Sequence, residues 1–323
     1  MAFTSTIHPL KDETAQARWR ALWERSPQRS SFSSLPYVRA ASEAFGLRCE
    51  MHLLADQDGD AAGALVFWRQ RGPYREVVVP PFTQYAALVL RQPPAEAEVH
   101  ARRSAFEALL AVLEARFAVL RFFIALTDVR PASWRGWRVT PVYTYLLPLL
   151  DEDDLPGRWS RATRRTFRKH GEAYRVEEHT ADASAIVALC AESYGRHDRH
   201  LPADAARLLR LVDLLRAEGQ VRLFTATSHE GDTPEGGLAV LHDGRTAHYW
   251  MAGSVPGPAM TVLLGHTLPR LRDDGIQQFD FVGANTPSIA EFKRHFGPVL
   301  TPYFYLEKIT RPELRLLYRL KGA

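Results

Sequence analysis

The sequence predicts an α/β (α+β) protein that contains two similar domains in tandem. Both halves of the chain show the same order of elements, which is helix, antiparallel hairpin, strand, helix and strand. Apolar and polar residues alternate on the predicted strands, while the predicted helices follow a period of about 3.6 residues. An acidic turn containing Pro and Gly, at 151–157, separates the halves. Because an internal duplication is the simplest explanation of the repeated order, we expect domains at 1–150 and 151–323.

The first half is predicted from its apolar periodicity and from an Asp- and Gly-containing turn at Asp56–Asp60. Asp and Gly favour turns, so this segment is typical of a hairpin connection. The predicted elements are helix Ala40–Phe45, strands Met51–Ala55, Gly63–Trp68 and Glu76–Val79, helix Val99–Arg116 and strand Leu120–Leu126.

The second half follows an apolar strand at Val142–Leu150, and its hairpin turn lies at His229–Pro234. The predicted elements are helix Arg207–Ala217, strands Val221–Thr227, Gly237–Leu241 and Thr246–Ala252, helix Thr261–Asp273 and strand Gln277–Val282.

Composition excludes several classes of protein. Hydrophobic residues make up 46% of the 323 residues and charged residues 24%, which is typical of a globular protein with a sizeable core. The longest apolar runs are far shorter than the roughly 20 residues of a membrane-spanning helix, and the first residues do not resemble a signal peptide. We therefore expect a cytoplasmic protein with reduced, structural cysteines at Cys49 and Cys190. The net charge of +4 is too small by itself to indicate nucleic-acid binding.

The segment 279–297 carries the most functional information. It predicts a strand, a glycine turn at Gly283 and a short amphipathic helix in which Lys293 lies between aromatic residues. Lys293 is either a functional cation or a solvated helix lysine, with Phe292 and Phe296 packing one face of the helix. Asn285 fits a turn or helix N-cap position before Pro287, and ligand contact is the alternative.

A second candidate site is a basic helix near 158–170. Its arginines Arg161, Arg164, Arg165 and Arg168 follow i, i+3, i+4, i+7 spacing and share one face of a helix. Guanidinium groups bind phosphate in a bidentate manner. The alternative is a solvated basic face that Asp151–Asp154, or Glu177 and Glu178, neutralise.

Three segments of the second half resemble a known family: Trp159–Gly171, Ala247–Ser254 and Phe279–Gly297. Weaker likeness lies in Phe32–Phe45 and Val79–Tyr85. The chain resembles the Fem family of peptidoglycan-bridge aminoacyltransferases and related Fem-like acyltransferases. This resemblance implies two tandem GNAT-like domains, each a mixed, mostly antiparallel sheet flanked by helices.

The resemblance also implies a reaction. Fem enzymes move an aminoacyl group from aminoacyl-tRNA to an amine of a nucleotide-sugar peptide, and the amine attacks the ester directly. The chain contains no GxSxG motif and no cysteine motif for covalent catalysis, in agreement with direct attack. An electrostatic donor beside the tetrahedral oxyanion is worth about 2.7–4 kcal/mol.

The resemblance assigns roles to individual residues. Lys293 is the expected cation, Phe292 contacts the tRNA acceptor end, and Arg164 and Arg168 bind the nucleotide diphosphate. For each of the other candidates, a structural role is the alternative to the functional one. Tyr249 either bonds the acyl carbonyl or is a half-buried core tyrosine.

Three further residues are weaker candidates. Gln84 and Tyr85 either line the acceptor groove or pack a Pro-Pro turn. Asp280 is either a base or an edge charge.

The sequence departs from coenzyme A-dependent GNAT enzymes in one loop. Their pyrophosphate binds backbone amides at a helix N-terminus, but the stretch 252–259 contains Pro256 and Pro258, which have no amide hydrogen. We therefore expect no bound cofactor and an aminoacyl-tRNA donor, with an acyl-CoA thioester as the alternative donor in polysaccharide, cell-envelope or natural-product synthesis. A non-catalytic scaffold that binds a nucleotide-sugar or RNA is a third possibility. His197 and His200 are spaced for one helix face, but no third ligand is near in sequence and no metal site is expected.

Overall fold

The computed structural model describes residues 2–92, 99–150, 155–179, 182–196 and 198–320. Numbered in chain order, the elements up to Pro148 are β1 Thr4–Pro9, α1 Glu13–Arg25, α2 Leu35–Phe45, β2 Arg48–Asp56, β3 Gly59–Arg71, β4 Tyr74–Val77, β5 Ala87–Leu90, α3 Val99–Arg116, β6 Val119–Ile124, α4 Arg130–Trp134 and β7 Arg138–Pro148. The later elements are α5 Leu155–Arg158, α6 Arg161–His170, β8 Tyr174–His179, α7 Ser184–Gly195, α8 Ala205–Ala217, β9 Val221–Ser228, β10 Gly236–His242, β11 Thr246–Ser254, α9 Ala259–Asp273, β12 Gln278–Asp280, α10 Pro287–Arg294, β13 Val299–Ile309 and α11 Pro312–Leu320.

The chain divides into two compact units. Unit 1 contains Met1–Val142 and Pro302–Ala323, and unit 2 contains Tyr143–Thr301. The units therefore divide the chain differently from the predicted ranges 1–150 and 151–323, because the last segment belongs with the first part of the chain. Those domain ranges stay a prediction.

Unit 1 is built on a sheet in which neighbouring strands follow the order β1, β2, β3, β4, β6 and β13. Strand β5 also pairs with β3, at a different stretch of β3 from the one that pairs with β4. Most of these pairs are antiparallel, but β4 and β6 are parallel where Glu76 lies opposite Val119. Helix α3 covers this sheet with the buried side chains of Phe106, Leu109 and Leu113. From Leu120 onward, buried and half-buried residues alternate on β6, which is the period-two pattern expected of a strand.

Unit 2 has the strand order β7, β12, β11, β10, β9 and β8. The pairs are antiparallel except for β11 and β12, which are parallel. Helix α9 supplies buried side chains such as Leu263, Leu264 and Leu268 to the core. The core also contains a cluster of aromatic side chains, in which Phe281 packs against both Phe279 and Phe296.

The predicted fold class is confirmed: each unit has a mixed, mostly antiparallel sheet flanked by helices. Helix α3 has its predicted bounds, Val99–Arg116. Predicted strand Gln277–Val282 is too long, because β12 ends at Asp280. The sequence analysis did not identify β5, nor the strands and helices that begin each repeat, namely β1 and α1 in the first and β8 and α7 in the second.

Among the described residues, no helix combines the length and the apolar character that crossing a bilayer requires.

Helix α7 packs unusually close to strand β11 in unit 2. A Cβ atom built on Gly253 would lie 2.1 Å from the carbonyl oxygen of Leu189, which is backbone and cannot move aside cheaply. We expect Gly253→Ala to lower the free energy of unfolding by about 1–3 kcal/mol, as overpacking does. Urea unfolding measures this change.

Gly231→Ala is the control for this substitution, because a Cβ there meets no atom within 4 Å. Equal stability of the two variants would contradict the close packing of α7 on β11.

Candidate active site

The candidate active site of unit 2 lies where two parallel strands separate. Strands β11 and β12 pair through three residues each, and the last pair is His248 with Asp280. Beyond Asp280 the chain stays beside β7, since the amide of Phe281 donates to Tyr145 O at 2.9 Å. Strand β11 instead continues beside β10. The carboxyl ends of β11 and β12 therefore form a fork, and such a position in a sheet is a common ligand-binding site.

A left-handed turn ends β12 and shapes one side of the fork. Val282 has φ of 50° and Gly283 has φ of 73°. Glycine adopts this conformation freely, but a β-branched residue does so only when its surroundings hold it there. The predicted strand stops two residues early for this reason.

Lys293 on α10 holds this turn. Its Nζ donates hydrogen bonds to the carbonyl oxygens of Phe281 at 2.6 Å, Val282 at 2.6 Å and Gly283 at 2.9 Å. Only the ammonium form has three hydrogens to donate. The residue is 4% exposed, so the alternative of a solvated helix lysine is wrong.

The charge of Lys293 is costly in this environment. Burial lowers its pKa to about 7, and the negative charge of Asp280 acts in the opposite direction. The ammonium also lies 5.1 Å from the centre of the Tyr249 ring, within the range of a cation–π interaction. The fork thus holds a cation against an aromatic ring in a region of low polarity.

Asp280 is the counter-ion of this region and is not an edge charge. It is 2% exposed and accepts hydrogen bonds from Thr144 Oγ1 at 2.5 Å and from the amide of Val282 at 2.8 Å. The Nδ1 atom of His248, also buried, lies 3.5 Å from Asp280 Oδ2. A buried carboxylate requires such partners, so these groups form one polar network beneath the fork.

Tyr249 lies on β11 just beyond the last paired residue. The register with β10 shifts there, since Ala239 pairs with Met251 but Val240 pairs with Tyr249, which leaves Trp250 as the extra residue of a bulge. Bulges redirect side chains. Trp250 is buried, whereas Tyr249 is half-buried and its ring packs near Phe281. Burial raises the pKa of Tyr249, so its hydroxyl remains a proton donor at neutral pH.

Asn285 and Phe292 flank the fork. Asn285 is exposed, and its side chain pairs with the backbone of Tyr143: Oδ1 accepts from the amide at 2.8 Å and Nδ2 donates to the carbonyl at 3.1 Å. The predicted N-cap role is wrong, because Thr286 occupies the N-cap of α10. Phe292 packs edge-on against Phe296 at 5.4 Å, as their i, i+4 spacing indicates.

The basic helix is α6, which begins after the N-cap Ser160. Phe167 anchors it in the core of unit 2 between Trp159 and His266. Its polar face and the preceding turn form an open groove lined by Pro156, Gly157, Arg161, Ala162, Arg164, Arg165, Thr166, Arg168, Lys169 and His170. The sequence prediction of a shared arginine face is therefore matched by one continuous basic surface.

Some of the acids proposed to neutralise this face are paired elsewhere. Glu177 pairs with Arg175 at 3.1 Å, and Glu178 pairs with Arg222 at 2.7 Å. Asp151–Asp154 lie outside the described residues. Within the described part of the chain, no carboxylate forms an ion pair with the α6 arginines, and Arg164 donates to Gly157 O at 3.1 Å.

Gln84 and Tyr85 lie inside unit 1. The amide of Gln84 donates to the hydroxyl of Tyr303, and Tyr85 is buried edge-on between Phe32 and Tyr303. These contacts agree with the alternative that both residues pack beside the Pro-Pro turn. Their predicted role in acceptor binding stays a prediction.

The loop between β11 and α9 offers few amides to a pyrophosphate. The amide of Val255 already donates to Glu235 O at 2.8 Å, and Pro256 and Pro258 have no amide hydrogen. Pro258 is also the N-cap of α9 and provides no side-chain cap. The structure therefore agrees with the departure seen in the sequence.

Across the described ranges, no group of His, Cys, Asp and Glu residues is arranged to hold a metal ion. His197, one of the two histidines considered as ligands, lies outside the described residues.

Comparisons with known proteins agree with this architecture. Residues 157–294 match the family model of the acetyltransferase (GNAT) domain. The chain is similar to the crystal structure of FemX, with a TM-score of 0.70 and 12% identity over 93% of this chain and 96% of that one. It is also similar to a tandem GNAT protein from the clavulanic acid biosynthesis pathway, with a TM-score of 0.57 and 14% identity over 96% and 99% of the two chains. A third similar structure is L-PGS from Bacillus licheniformis, with a TM-score of 0.56 and 12% identity over 96% and 95%.

The fold, the family match over residues 157–294 and the site define the class: the protein is an acyltransferase that contains a GNAT acetyltransferase domain. More particularly, the predicted resemblance to the Fem-like form of the tandem GNAT fold is confirmed. No sequence among curated proteins matches the chain significantly.

Sequence reasoning missed two members of the buried network, Thr144 and His248. Their contact with Asp280 depends on the register of β12 between β7 and β11, which pairs Asp280 with Leu146 and His248. A polar residue in the middle of each apolar strand was the available signal.

The lowered pKa of Lys293 predicts a pH-dependent stability. Between its folded value of about 7 and its ordinary value of 10.5, the unfolded chain binds the proton and the folded chain does not. The unfolded state thus holds more protons, and the free energy of unfolding rises with pH through this contribution. We compare the free energies of unfolding of the wild type and of Lys293→Met. The wild-type value minus the variant value should increase from pH 7 to 10, with a slope of at most about 1.4 kcal/mol per pH unit.

Chemical unfolding of both proteins at several pH values measures this difference. The subtraction removes groups that titrate alike in the two proteins. A difference that is flat or falls over this range would contradict the lowered pKa of the buried lysine.

Proposed function

We propose that the protein transfers an aminoacyl group from aminoacyl-tRNA to an amine by direct attack. The observation that carries this proposal is the loop before α9, where Val255, Pro256 and Pro258 leave few amides for the pyrophosphate of coenzyme A. A tRNA ester needs no such cradle at this loop. The Fem family, which the sequence resembles, implies this class of donor, and the chain shares its fold with FemX.

In this reaction, a negative charge develops on the carbonyl oxygen at the fork of unit 2. The neutral amine forms a C–N bond to the ester carbonyl, the carbonyl oxygen becomes an oxyanion, and collapse breaks the C–O bond to release the tRNA hydroxyl with the proton from the amine. The Tyr249 hydroxyl is the direct donor to the oxyanion. Lys293 acts through its charge, because its hydrogens are engaged by carbonyls. Charge acts strongly in a buried site of this kind.

The α6 groove holds phosphate groups of the substrates. Arg164 and Arg168 lie on its face without a carboxylate partner among the described residues, and guanidinium groups match phosphate oxygens in a bidentate manner. We assign them to the diphosphate of a nucleotide-sugar peptide acceptor. Phe292, near the fork, contacts the donor's acceptor end, and Asn285, Gln84 and Tyr85 remain weaker candidates for substrate contact.

A second candidate function is amine acylation by an acyl-CoA thioester. The family model that matches residues 157–294 describes an acetyltransferase domain, which favours this donor. The loop before α9 argues against it.

A donor screen separates the two functions. The full chain is incubated with a pool of aminoacylated tRNA or with acetyl-CoA, and with a UDP-linked sugar peptide bearing a free lysine amine. We expect a mass increase of one amino acid on the peptide with tRNA only. In parallel, coenzyme A should not raise the melting temperature, since a ligand that does not bind cannot stabilise the fold.

Acetylation of the peptide together with thermal protection by coenzyme A would overturn the tRNA proposal in favour of the second candidate. Tyr249→Phe, which deletes only the hydroxyl of the direct donor, is the matched control that shows whether transfer occurs at this fork.

The arginines of α6 give a separate prediction. We expect Arg164→Ala and Arg168→Ala each to lower kcat/KM by the equivalent of about 1.5–3 kcal/mol, the value of a hydrogen bond to a charged group. The melting temperature should change little, because α6 is held by Phe167 rather than by its basic face.

Arg207→Ala is the control for these variants, since this exposed arginine lies on α8 and pairs with Asp204. A similar kinetic loss in the control, or a large loss of stability in the α6 variants, would contradict a phosphate-binding role.

A further inference from the structure

Two residues at the start of β10 hold the loop 255–258, which joins β11 to α9 in unit 2. The amide of Val255 donates to Glu235 O at 2.8 Å. A Cβ atom built on Gly236 would lie 3.4 Å from the carbonyl carbon of Ala259, the first residue of α9. Glu235 and Gly236 therefore lie beside the two ends of this loop.

The side chain of Glu235 is fixed by a tyrosine of β8. Its Oε2 atom accepts a hydrogen bond from the Tyr174 hydroxyl at 2.6 Å. Tyr174 packs against the core that contains the leucines of α9, so this hydrogen bond directs the carboxylate toward the side of the sheet that α9 covers. The residue is half-buried, and its charge is therefore screened less than that of an exposed carboxylate.

The hydrogen bond between Tyr174 and Glu235 persists at neutral pH. Burial, together with the hydrogen bond to the carboxylate, raises the pKa of Tyr174 to about 12, so the hydroxyl keeps its proton. The backbone of Glu235 is held as well, since its amide donates to Ala226 O at 2.9 Å. Both the backbone and the side chain of Glu235 thus have a fixed place beside the loop.

A carboxylate in this place changes what the loop can bind. The first turn of a helix carries partial positive charge, and a nearby anion is favoured there. Pro258, the N-cap of α9, provides no side-chain cap. The chain instead places the carboxylate of Glu235 beside this end of α9, and a pyrophosphate bound there would meet a charge of its own sign.

A cation also lies at this loop, on the side of α7. Arg196 donates to Ser254 O at 2.5 Å, but its side chain is exposed. Water and salt screen an exposed charge more strongly than a half-buried one. The carboxylate of Glu235 therefore has the larger effect on an anion in the loop.

We propose that Glu235 is a specificity-determining residue, which keeps coenzyme A out of the loop 255–258 by charge repulsion. This role rests on the proposed function, because an aminoacyl-tRNA ester has no pyrophosphate to place in the loop. The donor choice then depends on a named side chain as well as on the two prolines.

The test measures the binding of coenzyme A to the full chain, without tRNA and without transfer. Glu235→Gln removes the charge and keeps an acceptor for the Tyr174 hydroxyl. We expect the variant to bind coenzyme A at least about tenfold more tightly than the wild type, or to bind it measurably where the wild type does not. Isothermal titration calorimetry at low ionic strength gives both dissociation constants.

Two further measurements separate repulsion from a change of shape. Pantetheine, the thiol arm of coenzyme A without its phosphates, should bind equally to the wild type and to Glu235→Gln. The gain for coenzyme A should also shrink as salt is added, because salt screens the charge. A gain that pantetheine shares, or that salt leaves unchanged, would overturn the charge repulsion.

Glu218→Gln is the matched control. It removes the same charge from an exposed residue that follows α8, at the other end of β9 from Ala226, and should bind coenzyme A as the wild type does. Glu235→Ala is the second variant if Glu235→Gln does not fold, since it leaves the backbone hydrogen bonds of this residue in place. It should show the same gain.

Equal binding of coenzyme A by the wild type and a folded Glu235 variant, including no binding by either, would overturn the proposal. An equal gain in Glu218→Gln would overturn it as well. If the wild type binds coenzyme A and Glu235→Gln binds it at least about tenfold more tightly, the role of Glu235 is supported and the tRNA donor is contradicted. The donor screen decides the proposed function separately.

Discussion

The ammonium of Lys293 and the three carbonyls that surround it determine the shape of the second unit's site. These carbonyls belong to the turn that follows the end of β12, and buried carbonyls without donors destabilise a fold. By satisfying them, Lys293 lets β12 end at Asp280 and lets Val282 keep its left-handed conformation. The same contact ties α10 to the end of β12 and places the ammonium 5.1 Å from the centre of the Tyr249 ring.

The same contact explains the balance of charge in the site. A lysine this deeply buried needs a nearby anion, and Asp280 needs donors of its own, which Thr144 and the amide of Val282 supply. In this network, each buried polar group therefore provides a charge or hydrogen-bond partner for another. An acyl transferase gains from such an arrangement, because positive charge is already in place before the oxyanion forms.

Patterns within a single element were predictable from the sequence, and contacts between elements were not. Helix α3 has its predicted bounds because its apolar period is regular over 18 residues. Strand β5 was missed because it is four residues long and follows a turn rich in proline. The segment around Lys293 was recognised as important, but its burial depends on where α10 packs. Likewise, Asn285 fits a cap in the sequence, yet its amide is taken by the backbone of Tyr143.

The discontinuity of unit 1 has a consequence for the order in which the protein can mature. Residues Phe304–Ile309 pair with β6, but they are synthesised only after all of unit 2. On the ribosome, β6 therefore has an open edge while Tyr143–Thr301 emerges, and unpaired edges are prone to wrong association. Unit 2 is one uninterrupted stretch and can close first, so the last strand of the chain completes the first unit.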